Sequence, residues 1–504
     1  MKTYTVFLIL AILLAGSVPT ASAGPATQAY LVATTGPLTA AQVAQLRLAG
    51  ANVKYVYQNF GGAAITISPK KIAKVRSLPF VTAVDEDTTF ELASAGLKIS
   101  TASYTPLPGT PWWLDSINAE KNTTYDGSGV WVAIVDMGFF PNWREFFNEE
   151  SILTEYATAF IGADGKSKVN QWDAANDAHG MMLASLIIGY KLVDGILEGG
   201  FLEGYLTGGP GTYWVPGVAP GAKIIPIKAC VWGVCKGSAV NAAIDYITGL
   251  KLANPDQPIV TLFAWGGFSF SALDKAAIDA ALSAGVVIVS AAGNNTGNAG
   301  MTFPATYEPV ISVGGGGWRD QWNEYPDKKW WLDDVPENFV DYVWIRDVSA
   351  RQLPGQYLDV VLPTGVLVVP GLCVNTAQAG LGFLCVGRAT PNDPAARYLY
   401  IFFHRTSLSA AVASGVVALM LQKNPALNNA NASFGTLGKP TSWGAGTLEG
   451  LLEGSATDIL PGTATILYPP PIGPRSYCWE MPECPLEATG HGWVFIDDAL
   501  AAVP

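Results

Sequence analysis

Charge is what this chain has least of. Asp, Glu, Lys and Arg together make up 14% of its 504 residues, against roughly 25% in an average globular protein. The bases are the scarcer half, 29 against 41 acids, and the formal net charge is −12. That balance excludes a nucleic-acid-binding protein, which needs a basic face along the phosphates. It also gives no support to stabilisation by ion-pair networks at the surface. Histidine occurs three times, at His179, His404 and His491, and no C-x-x-C is found among six cysteines. A zinc site would have little to draw on. Beyond the N-terminus, no run is both apolar and free of glycine or charge over the length a bilayer span requires. What is plentiful is apolar: 49% of the residues are hydrophobic, enough for a large core and more than one domain.

The first 23 residues read as an export signal. Lys2 gives the positive end, Val6 to Leu14 the apolar run, and Ala21-Ser22-Ala23 a small-residue cleavage site. The mature protein is therefore expected to be secreted, extracellular and without a stable membrane anchor. An oxidising compartment permits disulfides. The cysteines fall into three close pairs, Cys230 with Cys235, Cys373 with Cys385, and Cys478 with Cys484, and local bridges are the simplest expectation.

Residues 24–92 alternate strand-like and helix-like patterns. Ala29–Ala33, Ala63–Ile67 and Val81–Asp85 read as strands, and Thr39–Leu48 and Pro69–Leu78 as helices. This is a small α+β unit of ferredoxin-like character. Residues 93–112 lose periodicity to Ala, Ser, Gly, Thr and Pro and read as a linker, the expected place for a processing cut. From residue 113 to 504 strands and helices alternate as in an α/β fold, with insertions at about 190–216 and 318–400. Val130–Val135 is apolar throughout, like a strand buried on both faces, and ends on Asp136. Ile259–Phe263 ends at Ala264-Trp265-Gly266, and Val286–Ser290 at Ala291-Ala292-Gly293-Asn294. Pro226, inside the run Lys223–Ile227, points to an edge or a bulge. Val310–Val313 reads as a short strand before four glycines, Gly314 to Gly317. These lack the Lys-Ser/Thr of a phosphate loop. Polar and glycine signals thus gather at strand C-termini, where open parallel sheets assemble their sites.

Asp136, His179 and Ser407 occur in the chain order of the subtilisin arrangement. Serine is a poor nucleophile until an imidazole takes its proton, and the imidazole needs a carboxylate to fix its tautomer. His404 stands too near Ser407 in the chain to be its base. An order Ser407, Asp458, His491 would fit an α/β-hydrolase, but Ser407 lies in Arg-Thr-Ser-Leu-Ser and not in a Gly-x-Ser-x-Gly elbow. Four blocks then carry a resemblance: Val132–Gly138 around Asp136, Asp177–Met181 around His179, Ser290–Asn295, and Thr406–Ala410 around Ser407. Trp113–Ala119, Pro216–Ala222 and Gly490–Val494 extend it. The chain resembles the subtilisin-like serine proteases, or subtilases, over almost its whole length.

The resemblance implies an α/β fold with a mostly parallel sheet flanked by helices, preceded by residues 24–92 as a ferredoxin-like pro-domain that inhibits the enzyme and aids its folding. It implies a secreted endopeptidase acting on polypeptide substrates, made as an autoprocessed precursor. Asp136, His179 and Ser407 would form the triad and Asn294 the oxyanion hole. Trp265, Gly266, Ala292 and Gly293 would line the substrate. No cofactor is required for the chemistry; structural calcium occurs in the family, but no motif here locates a metal. The sequence departs from the family at Arg405 and Ala411, usually Gly and Pro, and at Met137 and Met181, usually hydroxyl residues. The alternative is therefore an inactive secreted binding or structural protein on the same fold. The segment Trp318–Arg346, rich in Trp and acids, reads most simply as a surface insertion with a minor core of its own, and as a cleft wall or calcium site otherwise.

Overall fold

A computed structural model describes residues 27–91, 105–106, 109–161, 171–175, 178–194, 211–295, 299–323, 334–365, 367–373, 385–386, 398–403, 405–429, 447–468 and 473–504. The export signal, most of the 93–112 linker, much of both insertions and His404 lie outside these residues.

The small domain runs β1 (Gln28–Thr34), α1 (Ala40–Leu48), β2 (Asn52–Val56), β3 (Gly62–Ile67), α2 (Ile72–Arg76) and β4 (Val81–Glu86). Its antiparallel sheet has the order β2-β3-β1-β4, the ferredoxin-like arrangement. Thr39 starts α1 by a capping box with Gln42. Val32, Leu46, Ile65, Ile67 and Val75 close the core between sheet and helices. Strand β2 has no signature in the sequence: of Asn-Val-Lys-Tyr-Val only Tyr55 is buried, so an edge position and not alternation makes it a strand.

The other face of that sheet lies on the larger domain. Leu31, Ala33, Tyr55, Tyr57 and Ala64 share a core with the helices Gly237–Ala253 and Ala272–Ser283. A Cβ on Gly62 would meet Leu273 Cδ1 at 2.2 Å and Val32 O at 2.7 Å, so a side chain there would crowd both the helix and the strand. Asp245 accepts from the backbone N–H groups of Gln58 and Asn59 at 2.9 and 2.8 Å. Asp87 accepts from Ser238 N–H at 2.9 Å and Ser238 Oγ at 2.8 Å, supplying a carboxylate to the first turn of the Gly237–Ala253 helix, where the dipole favours it. Beyond β4, Thr89–Glu91 adds as an antiparallel strand to Val234–Lys236.

In the larger domain, eight strands make the central sheet. Val343–Ile345, Ile311–Trp318, Val287–Ala291, Ile259–Phe263, Trp131–Asp136, Lys223–Lys228 and Thr158–Ala159 lie side by side in that order, and Val360–Pro363 also pairs with Ile311–Trp318. All pairs are parallel except that of Val343–Ile345. Alternation sorts the side chains: Val132 and Ile134 face the helices His179–Ile188 and Thr406–Lys423, while Ala133 and Val135 face Gly237–Ala253 and Ala272–Ser283. Two apolar layers on a two-faced sheet explain the continuous apolar runs.

Pro226 sits in the second strand from an edge, and its neighbours explain why it is tolerated. Lys223 N–H and Ala229 N–H donate toward the Trp131–Asp136 strand, so by alternation position 226 faces the edge. There Ile152–Leu153 and Thr158–Ala159 pair with residues 224 and 227–228 and leave 226 between them. The four glycines do not follow the strand but belong to it, within Ile311–Trp318. A Cβ on Gly315 would meet Thr364 Cγ2 at 2.2 Å, and one on Gly317 would meet Trp344 Nε1 at 2.8 Å. Trp318, Trp322 and Trp344 are buried in the main core and not in a minor one, which corrects the expectation for that insertion.

The helix Thr406–Lys423 is buried from Thr406 to Leu421. Among the described residues it is the one helix long and apolar enough to cross a membrane, yet 89% of that window is buried in the protein. A helix apolar on all sides packs inside.

Candidate active site

Asp136 ends its strand with its side chain fully buried. Oδ1 accepts from Met137 N–H at 2.7 Å, and Oδ2 lies 2.9 Å from His179 Nδ1. His179 is the first residue of its helix and 1% exposed. Two glycines bring the elements this close. A Cβ on Gly138 (φ 78°) would meet Trp172 O at 2.1 Å, and one on Gly180 would meet Gly138 O at 2.7 Å. With Nδ1 bound to a buried carboxylate, the imidazole carries its proton there and offers Nε2 as the basic nitrogen.

Ser407 is the second residue of the Thr406–Lys423 helix, and its Oγ donates to Ala264 O at 3.1 Å. Asn294 lies beside it. Its Oδ1 accepts from Thr406 N–H at 2.9 Å and Thr406 Oγ1 at 3.0 Å, which leaves the amide nitrogen free of partners among the described residues. Thr406 Oγ1 also reaches Gly293 O at 3.1 Å. Thr406 was not singled out in the sequence, although it sits inside the Ser407 block. Ser407, His179, Asn294, Gly266, Gly293 and Trp265 line one cleft of about 440 Å³, joined by Thr89, Phe268, Thr302 and Arg405. A larger cavity of about 650 Å³ near Asn338 and Trp479 holds none of the triad candidates.

The expected substrate-lining residues divide. Gly266 has no room for a side chain, since a Cβ would meet Thr302 Oγ1 at 2.1 Å. Trp265 turns its indole inward to donate to Val135 O at 2.8 Å and packs on Phe90, centroids 4.7 Å apart. Its side chain therefore braces the Asp136 strand. Ala292 lies fully buried behind the cleft, its N–H on Val313 O and its carbonyl on Thr302 N–H. Gly293 takes φ 119°, a conformation that favours glycine. Asp458 and His491, the rival pair, lie outside the lining of this cleft.

The departures have local reasons. Met137 Sδ accepts from Gly233 N–H at 3.2 Å, and Met181 Sδ from Phe140 N–H at 3.4 Å, so both thioethers are weak acceptors inside the core. Arg405 has φ −154° and ψ 157°, an extended backbone open to any residue, and its carbonyl accepts from Thr364 Oγ1 and Leu408 N–H. Burial and the neighbouring Arg346 guanidinium lower its pKa, against the pull of Asp347.

Cys230–Cys235 and Cys478–Cys484 are disulfides. The side chains of Cys373 and Cys385 lie outside the described residues. Of the described acids and histidines, Asp359, Glu449 and Glu453 form a group whose oxygens approach within 4.8 Å of one another. All three are buried. Asp359 Oδ2 accepts from Ser312 N–H at 2.6 Å, and Glu449 Oε2 from Asn429 at 3.0 Å. Burial, with Glu308 nearby, raises Asp359 to about 7. Glu449 is raised by burial and by its acidic neighbours. Asp359 and Glu449 are thus both pushed toward the protonated form, and no residue is assigned to a metal.

A mostly parallel sheet whose strand ends gather a buried Asp–His pair, a helix-borne serine and an asparagine marks a class of α/β fold. The chain belongs to the subtilase family, whose model matches residues 127–459. Fervidolysin of Fervidobacterium pennivorans is 26% identical over 393 residues, 76% of this chain and 48% of its own length. An extracellular serine proteinase of Thermus sp. (strain Rt41A) is 26% identical over 392 residues, 75% of this chain and 76% of its own. Subtilisin DY of Bacillus licheniformis is 34% identical over 210 residues, 40% of this chain and 63% of its own. The solved structure of fervidolysin, described as a keratinolytic enzyme related to subtilisin, matches with a TM-score of 0.59 at 19% identity, over 96% of this chain and 62% of that one. That likeness is one of fold, and the chain spans about half to two thirds of fervidolysin.

Proposed function

We propose that this chain is a secreted serine endopeptidase made as a precursor. The observation that carries the reading is the 2.9 Å bond between His179 Nδ1 and the buried Asp136, in a cleft shared with Ser407. His179 Nε2 takes the proton of Ser407 as Oγ attacks a peptide carbonyl. The oxyanion that forms meets the amide nitrogen of Asn294 and the backbone N–H of Ser407 at the helix N-terminus. His179 then protonates the leaving amine, and water, activated by the same imidazole, releases the acyl group from Ser407. No step calls for a cofactor.

Residues 24–92 act in this reading as inhibitor and folding aid, with Thr89–Glu91 running beside Val234–Lys236 at the cleft margin and the cut falling within 93–112. Polypeptides are the substrates. A fluorophosphonate probe is expected to label Ser407 in the wild type and not in Ser407→Ala. N-terminal sequencing is expected to find the 93–112 cut only in the wild type. Absence of both would leave the second reading, an inactive binding protein on this fold, which the Arg405 substitution and the Ser407–Ala264 hydrogen bond favour.

A further inference from the structure

The cleft that holds Ser407 and His179 also carries a charge. Arg405 immediately precedes Thr406 and Ser407 and lines the cleft with them. Its guanidinium makes no hydrogen bond or ion pair among the described residues, although the residue is largely withdrawn from water. The charges that face it are Arg346 and Asp347. Asp347 is already shared: its Oδ1 lies 3.6 Å from Arg346 Nε, and its side chain is 56% exposed. Arg346 is held between aromatic faces, its Nη1 donating to Tyr468 and Tyr477 hydroxyls. Two guanidiniums therefore stand against one screened carboxylate. Among the described residues no Asp, Glu or Lys lines the cleft, and Asp136 is buried behind His179. In a chain of net charge −12, the substrate groove is locally cationic.

A half-buried cation without a partner is an incomplete ion pair, and a planar guanidinium is suited to a carboxylate. We propose that Arg405 is a specificity residue that pairs with an acidic side chain of the substrate, Asp or Glu, close to the scissile bond. This inference rests on the endopeptidase reading. The extended backbone at residue 405 lets a side chain occupy the position without strain, and Thr406 ties it to Asn294, so the charge stands on the wall that forms the oxyanion site.

The test uses the full-length protein after its own processing has run to completion. Peptides identical but for Glu or Gln at each position flanking the cleaved bond are compared by kcat/KM. The expected result is a Glu preference of about tenfold at one position, shrinking as salt rises. Arg405→Gln is expected to abolish the preference and Arg405→Glu to invert it toward Lys-containing peptides. Equal turnover of the Glu and Gln forms by the wild type would overturn the proposal while leaving the protease reading intact. So would a loss in Arg405→Gln that is uniform across substrates, which would make the charge a general stabiliser of the oxyanion. Should neither form be cleaved and Ser407 resist labelling, the protease reading fails. Binding of Glu and Gln peptides with an N-methylated central amide then decides separately, equal affinities overturning the proposal.

Discussion

Thr406 grips Asn294 twice, through its N–H at 2.9 Å and its hydroxyl at 3.0 Å, both on the same amide oxygen. The residue before Ser407 thereby decides which end of the asparagine faces the cleft. Asn294→Ala is expected to lower kcat by about 10²–10³, with KM little changed, because the lost donor acts mainly on the oxyanion. Thr406→Val keeps the N–H and removes the hydroxyl, and should cost about tenfold in kcat. Steady-state kinetics on one peptide substrate measures both.

Asp136 holds His179 from beneath. Asp136→Asn would preserve the packing but invite the wrong imidazole tautomer, and kcat is expected to fall by about 10⁴. The same variant should lose fluorophosphonate labelling in proportion, while its thermal midpoint moves little.

The carboxyl group Asp359 makes a prediction about pH and stability. It is crowded by Glu449, Glu453 and Glu308, with His491 3.5 Å from Glu453 as the nearby base. Its folded-state pKa of about 7 stands above the ordinary 3.8, so the native state keeps a proton that the unfolded chain releases near pH 4. Stability is then greatest at low pH, falls as pH rises through that window, and levels off once both states have lost the proton. Denaturant unfolding at pH 5 and pH 8 should differ by on the order of 2 kcal/mol in favour of pH 5. Asp359→Asn should flatten that slope.

Asp87 reaches across from the small domain to Ser238. In the unprocessed Ser407→Ala chain, Asp87→Ala removes a cap and is expected to cost about 1 kcal/mol. Hydrogen exchange should show the loss locally, at the first turn of the Gly237–Ala253 helix.

Much of this fold was legible in the sequence because it is written in long signals. The strands Ile259–Phe263 and Val130–Val135 are dominated by apolar residues and end on turn or polar signals, and the structure places them within a residue of expectation. Strand β2 was illegible because its pairing, not its composition, makes it a strand. The glycines 314–317 read as a break, since what fills their missing side chains (Thr364, Trp344 and Trp493) lies far away in the chain. In the site, residue types and order pointed to Asp136, His179 and Ser407. Trp265 was legible only as a backbone position. That its indole turns away to brace Val135 is a matter of packing. Arg405 looked like a defect of the nucleophile turn because sequence patterns do not report φ, and the turn turned out to need no glycine.

Ser407 rides on a helix buried from Thr406 to Leu421, packed against the His179 helix and five strands of the central sheet. Such a segment is sticky when exposed and silent when misplaced. A chain loosened enough to bare it would also have dissolved the cleft at its first turn, so if Ser407 acts as proposed, activity would itself report that the interior is closed.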